Sequence, residues 1–553
     1  VGCFLKTGII GAARKLRGAA SYSVLAALAI SLSAPAADAA TVHNWVGGTT
    51  FFNDTATAGS PAYDDWANSA NWNPQPFPNS LNDIAQFSTS NNTHISFSQD
   101  VTVNELNFVA APSYNFLLTN DTTVNPTGHT VTIGGTGVFT GPLTQTFELR
   151  AFATAGPTNT LQFTNSATAG GLAVLLDGAA NSTSAVLAFH NNATAGTATI
   201  TENSGEVDFH DTSTLAGALI TAKNVVQFFD SSSAGNIDGE IDMLNGGKLS
   251  FHNTSTAGDT FLNLLTGSTT NFLDTSTAGT ALLQVFGTAN FTNNATAGGS
   301  EIIAGALVAP GNFKGTVTFQ GAANAGTATI TTSGNNTHLV TFTTTAGVTT
   351  VNFSPNAGLT EFEGNSSAAN ATFATNSDGA VYFIGNSSAG SATFNTPGRG
   401  NIIFDGSSSA GNGTFNTTGG RVEFLNGASG GAGVFNTGAS SVVDFTHLTS
   451  GSSTTVGALN GAGQYSLGNN TITVGGTNLN SNFSGTLVGN GALIKAGTGT
   501  FTLTGFSSPY NGSLTINGGT FQFGNASPTA RCSAFPRSPT MRRWLTISVP
   551  APS

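Results

Sequence analysis

Asp238, Glu240 and Asp242 are the residues whose types and spacing best suit chemistry in this chain. On an extended strand all three share one face, while Gly239 and Ile241 occupy the other. Carboxylates so placed could hold a hard cation such as Ca2+ through oxygen ligands, with Lys248 as a nearby base. In a coiled repeat, Asp259 falls on the next rung and would join them as a fourth cation candidate. No Arg accompanies the group, and acids on a single rung more often solvate an outward face.

Trp45, Trp66 and Trp72 are the second candidate set. Exposed indole faces stack on sugar rings, so the three could form a ligand-binding platform; buried, they would close one end of the fold. His190, His210 and His252 each follow a Phe in a recurring phrase, which places them at one corner of different rungs and reads as a polar corner rather than a metal ladder. Gly427-Ala428-Ser429-Gly430-Gly431 matches G-x-S-x-G, but it occupies a repeat position and lacks the strand-to-helix setting of a nucleophile elbow. H-E-x-x-H, paired C-x-x-C, EF-hand and phosphate-loop patterns are absent from the sequence. The expectation is a protein with no cofactor that is not an enzyme.

The elements that must position these residues are set by composition and repeats. Only 8% of the 553 residues are charged, whereas Gly numbers 70 and Phe 40. Lys, Glu, Leu and Arg are too scarce to build helical surfaces, while Thr, Val, Ile and Phe among many turn formers favour short strands. Phe163, Phe189, Phe209, Phe228, Phe251, Phe272, Phe291, Phe319, Phe342, Phe362, Phe383, Phe404, Phe424 and Phe445 recur roughly every 22 residues. Most open a phrase such as Phe251-His252-Asn253-Thr254-Ser255-Thr256-Ala257-Gly258, and two short alternating segments separate one Ala-Gly from the next Phe. Strands this short cannot close a core alone. Coiling successive repeats stacks Phe on Phe and pairs strand with strand at about 4.8 Å. The chain is therefore expected to be all-β, a parallel β-helix of about 21-residue rungs and on the order of 65 Å long, with Gly turning the corner after Ala.

Charge and targeting signals bound the setting. Between residues 40 and 524 the balance is strongly acidic, with seven Lys or Arg against 26 Asp or Glu. This argues against nucleic acid as a partner. Residues 1–39 read as an export signal: a basic start, the apolar run Val24 to Leu32, and the small-x-small site Ala37-Asp38-Ala39. No cysteine lies between Cys3 and Cys532, so stability must come from burial and hydrogen bonding.

The expected organisation is a signal peptide (1–39), a Trp-rich N-terminal cap (40–125), the Phe/Thr-Ala-Gly solenoid (126–450), a differently phrased strand region (451–524) and a basic tail (525–553). In the fourth region, Gly491-Ala492-Leu493-Ile494-Lys495-Ala496-Gly497-Thr498-Gly499-Thr500-Phe501-Thr502-Leu503-Thr504-Gly505 precedes Tyr510-Asn511-Gly512-Ser513-Leu514-Thr515-Ile516-Asn517-Gly518-Gly519-Thr520-Phe521. This closely resembles the passenger-associated transport repeat of autotransporters, with Phe501 and Phe521 in place of the usual Leu. The Thr-Ala-Gly repeats and the Trp-rich start are similar to other parts of such surface proteins.

The resemblance implies a right-handed β-helix, exported from a Gram-negative cell and carried to its surface through an outer-membrane translocator barrel. Passengers of this family include adhesins, proteases and lipases, so the resemblance fixes architecture and address better than activity; the favoured reading of this chain is a non-enzymatic cell-surface or extracellular passenger acting as an adhesin or stiff spacer, with host or matrix glycans and proteins as partners. The alternative is a polysaccharide-binding or lyase-like β-helix, in which stacked acids hold Ca2+. The tail after Gly524 is too short for a barrel and foreign in composition, which reads as a frameshift or truncation.

Overall fold

In the computed structural model, residues 40–524 are described except for positions 49, 91 and 377 and segments 54–61, 120–126, 152–157, 179–182, 306–314, 334–340, 346–347, 353–357 and 506–509; the strand Leu545–Val549 is also described. The segment expected to be an export signal and most of the basic tail lie outside the described residues.

The chain winds into a parallel β-helix. Each typical rung places one four-residue strand in a first sheet, crosses a turn, contributes one bridging residue to a narrow ladder, and places a second strand in a second sheet. In the first sheet Asn159–Phe163 pairs with Ala185–Phe189, and this with Glu206–Phe209, always Phe opposite Phe. In the second, Thr199–Glu202 pairs in parallel with Leu219–Ala222, and this with Glu240–Met243. The ladder runs Thr168, Thr194, Thr214, Ser233, Thr256, Thr277 and Thr296, one residue per rung. The Thr-Ala-Gly phrase is thus the third side of the coil.

Alternation within each strand sorts the side chains. Val226 and Phe228 point inward and are fully buried, whereas Val225 and Gln227 face outward. From Phe163 to Phe445 the inward rings stack almost parallel, with centroids 4.5 Å apart between Phe272 and Phe291 and 5.1 Å between Phe163 and Phe189. The strand spacing dictates this contact, since identical residues in register must stack at about that distance. Ile200, Ile220, Ile241, Leu262, Leu283 and Ile302 line the facing sheet. Further along, Phe373, Phe394, Phe415 and Phe435 replace them and meet the first column edge-on.

One anchor departs from the expectation. Phe342 lies in the strand Thr341–Thr345, which pairs antiparallel with Val348–Asn352, and Phe319 stacks directly on Phe362 at 4.7 Å. The segment between Ser333 and Leu359 is therefore an insertion carrying a hairpin, and the column omits its Phe.

The corners explain the polar phrase. Asn191, Asp211, Asp230, Asn253, Asp274 and Asn293 adopt left-handed backbone angles, which short polar side chains tolerate. Asp211 Oδ2 accepts the Asn191 N–H at 2.7 Å, and Asp274 Oδ2 accepts the Asn253 N–H at 2.9 Å, so each corner closes on the next rung. Gly196 and Gly258 take the other corner at φ 65°, where a Cβ on Gly258 would lie 2.2 Å from the Gly235 carbonyl oxygen. In two copies Ala216 and Ala369 occupy that corner at φ 56° and 49°, so in the first of them the corner lies one residue before Gly217. Parallel pairing is continuous across the N-terminal region: Ser80–Phe87 pairs with Val101–Phe108, and this with Thr130–Phe139. The strand Leu545–Val549 pairs antiparallel with Gly519–Phe523.

Candidate functional site

The predicted acids do not converge. Glu240 and Asp242 share the outward face of Glu240–Met243, as the alternation predicts, while Ile241 and Met243 are buried. Register places Phe261 and Asn263 beside them on the next rung, and Asn263 Nδ2 donates to Asp242 Oδ1 at 2.7 Å. Asp259 falls instead above the preceding corner, its N–H donating to the Gly235 carbonyl at 3.3 Å, and Asp238 sits in an exposed turn. Lys248 belongs to the first sheet and Glu240 to the second. A rung-to-rung offset in phrase length thus separates what linear spacing brought together.

Trp45, Trp66 and Trp72 are each at most 2% exposed. Trp66 lies 4.7 Å from Trp72 and 5.4 Å from Phe97, and Trp45 lies 5.0 Å from Trp72, so other rings cover the faces that a sugar platform would need open. Their N–H groups donate to the carbonyls of Asn92, Pro78 and Trp66. The expected platform is corrected to a packed aromatic cluster, because burying a large ring outweighs leaving it for a ligand.

The histidines form a column as the phrase predicts. His190 stacks on His210 at 4.8 Å, Phe229 continues the column, and His252 follows at 4.7 Å. Burial lowers the His210 pKa, with His190 adding to the effect, and burial also lowers that of His252. Ser429, from the G-x-S-x-G match, belongs to the narrow ladder opposite Ser409, and its Oγ accepts the Gly431 N–H at 3.1 Å.

A cluster that the sequence did not single out does converge. Among the described residues, Glu423, Asp444 and His447 each bring a ligand atom to within 4.8 Å of the others. Glu423 and Asp444 are directly opposed on Arg421–Asn426 and Val442–Leu448. The register then slips, so that His447 opposes Leu425, with Phe445 and Thr446 facing the single Phe424. This β-bulge puts His447 on the face of Asp444, whereas regular alternation would put Thr446 there. Its only signal in the sequence was the breakdown of the repeat phrase after Phe445.

Arg421 spans the two carboxylates, its Nε reaching Glu423 Oε1 at 2.5 Å and its Nη2 reaching Asp444 Oδ2 at 3.2 Å. Asp444 Oδ1 accepts the Thr446 N–H at 2.8 Å. Glu423 Oε2 is buried without a hydrogen bond and lies 3.4 Å from His447 Nδ1. Burial raises the Glu423 pKa, and contact with Glu423 raises that of His447.

Two other carboxyls carry large shifts. Glu202 points into the core and is pushed up to about 7 by burial; Asp208, on the outward face, is pushed up to about 7 by burial and by Glu206.

Near the C-terminal end, the repeat with Lys495 and Tyr510 shows why its motif uses those residues. Lys495 is 1% exposed, and its Nζ donates to the carbonyls of Ala496, Gly497 and Gly518, tying two successive corners together. Burial lowers its pKa. Tyr510 donates its hydroxyl proton within reach of the Gly491 and Ser513 carbonyls, at 3.0 and 2.7 Å. A Cβ on Gly512 would sit 1.7 Å from the Gly491 oxygen, so only Gly fits between Tyr510 and the rung below. The expected Leu-to-Phe replacements stack on each other, Phe501 on Phe521 at 4.9 Å.

Comparison with known proteins agrees with this local geometry. Residues 493–523 match the Passenger-associated-transport-repeat family model. Over 103 residues the chain is 36% identical to "Adhesin BmaC autotransporter" of Brucella suis biovar 1 (strain 1330), a match covering 18% of this chain and 3% of that protein. No solved structure matches the chain. The chain is thus a parallel β-helix that carries a passenger-associated transport repeat over residues 493–523 and is similar over a short stretch to an autotransporter adhesin.

Proposed function

We propose that the protein is a non-enzymatic exported passenger, a stiff acidic solenoid that acts outside a Gram-negative cell as an adhesin or spacer. The observation that carries this reading is the in-register stack from Phe163 to Phe445, which makes a long object with a repeated surface. Part of the outward surface is a polar ladder, Asn395–Asn416–Asn436–Asn460, in which the Asn416, Asn436 and Asn460 amides each donate to the Asn before them. Such a surface offers many equivalent hydrogen-bonding groups to host or matrix glycans and proteins. The match to a protein named as an adhesin supports the same reading.

In this proposal, residues 1–39 direct export, 40–125 cap the coil, 126–450 form the presented rod, and 451–524 lead toward an outer-membrane translocator. Nucleic acid is no partner, because the acidic body would repel phosphate.

The test is to immobilise the purified chain on beads and measure retention on matrix-coated and epithelial surfaces under flow, alongside release of reducing or unsaturated ends from a polysaccharide panel. Saturable retention without sugar release is expected of an adhesin. Neither retention nor release would leave the spacer role, and sugar release would overturn the non-enzymatic reading in favour of a polysaccharide-active β-helix.

A further inference from the structure

We propose that Glu423, Asp444 and His447 form a binding site for a transition-metal dication, with Zn2+ the best match. The argument starts from an unsatisfied atom. The Glu423 side chain is fully buried, and its Oε2 makes no hydrogen bond of ordinary geometry, facing His447 Nδ1 across a long ion pair, an arrangement that is costly for a carboxylate. That oxygen faces His447 Nδ1 at 3.4 Å, too long for a good hydrogen bond. Two ligands about 2.05 Å from a tetrahedral zinc ion are separated by about 3.3 Å, so this gap matches one edge of such a site.

Asp444 supplies the third corner within the same 4.8 Å grouping. One nitrogen and two carboxylates make three protein ligands and leave a fourth position for water, the coordination count of an open zinc site. Solvent reaches the site past His447, whose side chain is 26% exposed. Hard dications that prefer six or more oxygens suit this imidazole-containing trio less well.

The surroundings hold the trio in place. Arg421 bonds the outer carboxylate oxygens, fixing both acids while leaving Glu423 Oε2 directed inward. Such outer contacts orient metal ligands in established sites. The β-bulge that delivers His447 has no counterpart in the paired strands Ala380–Phe383 and Asn401–Phe404, whose register is unbroken. Bulges are enriched where a side chain must be re-aimed. A metal here would cross-link two adjacent rungs without changing the adhesin or spacer reading, and its absence would leave that reading intact.

The experiment uses the full chain, stripped with chelator. Zn2+ is titrated calorimetrically, and Co2+ is added separately to read the visible bands of a tetrahedral site. One tight Zn2+ per chain is expected, with His447→Gln and Glu423→Gln each weakening it at least tenfold. His210→Gln, which alters the stacked histidine column, should leave it unchanged. His447→Gln is the decisive variant if Glu423→Gln fails to fold, since His447 is partly exposed. No tight Zn2+ binding by the wild type, meaning a Glu423–His447 ion pair only, would overturn the proposal. So would an affinity unchanged in His447→Gln.

Discussion

Glu202 offers a quantitative test of how the coil tolerates a carboxylate in its core. It occupies an inward column between Leu176 and Ala222 and is fully buried. Its Oε2 accepts the N–H groups of Asn224 at 2.7 Å and Lys223 at 3.1 Å, while Oε1 has no hydrogen bond. Burial raises its pKa from 4.5 to about 7, against the opposing pull of those two N–H groups and the Lys223 charge. A raised folded-state pKa means that the folded chain holds this proton more tightly than the unfolded chain. Its contribution to stability is therefore complete below pH 4.5, declines as pH rises, and is lost above about pH 7. Raising this pKa from 4.5 to about 7 corresponds to about 3 kcal/mol.

Glu202→Gln removes the ionisation while keeping an acceptor for Asn224. Relative to wild type, the variant should gain about 2–3 kcal/mol on moving from pH 5 to pH 8. Native-state amide exchange in the rungs Thr199–Glu202 and Leu219–Ala222, corrected for intrinsic rate, suits a repeat protein whose rungs need not unfold together. Taking the difference between the two proteins at both pH values cancels every other titrating group. A change below about 0.5 kcal/mol, within ordinary non-additivity, or a relative gain at the lower pH would refute the buried-carboxylate account.

Phe272→Ala opens a gap between rings 4.7 and 4.5 Å away, and should cost about 3–5 kcal/mol; limited proteolysis should then cut near the altered rung, and an unchanged pattern would contradict the stacked core. Lys495→Met strips the donor from three corner carbonyls and should cost about 1–3 kcal/mol. Faster amide exchange at Gly518 and Gly519 would report it, while unchanged protection would show that the transport-repeat lysine does not tie the corners. Among metal-site variants, His447→Gln should abolish tight Zn2+ binding by calorimetry while leaving the far-ultraviolet dichroism of the coil intact.

Much of the architecture was legible because a repeat states the same local problem many times. The recurrent Phe, the alternating strands and the polar corners all point to one solution, since a short strand can bury its apolar face only against its copy. The transport repeat was legible as a motif through its resemblance, but the roles of Lys495, Tyr510 and Gly512, which act on backbone groups of neighbouring rungs, came only with the structure. Where the phrase varied, the reading weakened. Phe342 has the right spacing yet belongs to an inserted hairpin, and Ala216 turns a corner one residue before the glycine that seemed to provide it.

The candidate sites depended on register, which linear spacing does not specify once rungs differ in length. Asp259 was expected beside Glu240 and Asp242 but stands above a corner, and the three tryptophans turn inward, where their rings pack on one another. The sequence by itself determined an all-β coil with a phenylalanine spine, because strand spacing and side-chain alternation are properties of any extended backbone. Only the tertiary structure decided that Glu423, Asp444 and His447 meet, because a single extra residue in one strand turns His447 onto a face that alternation would have denied it.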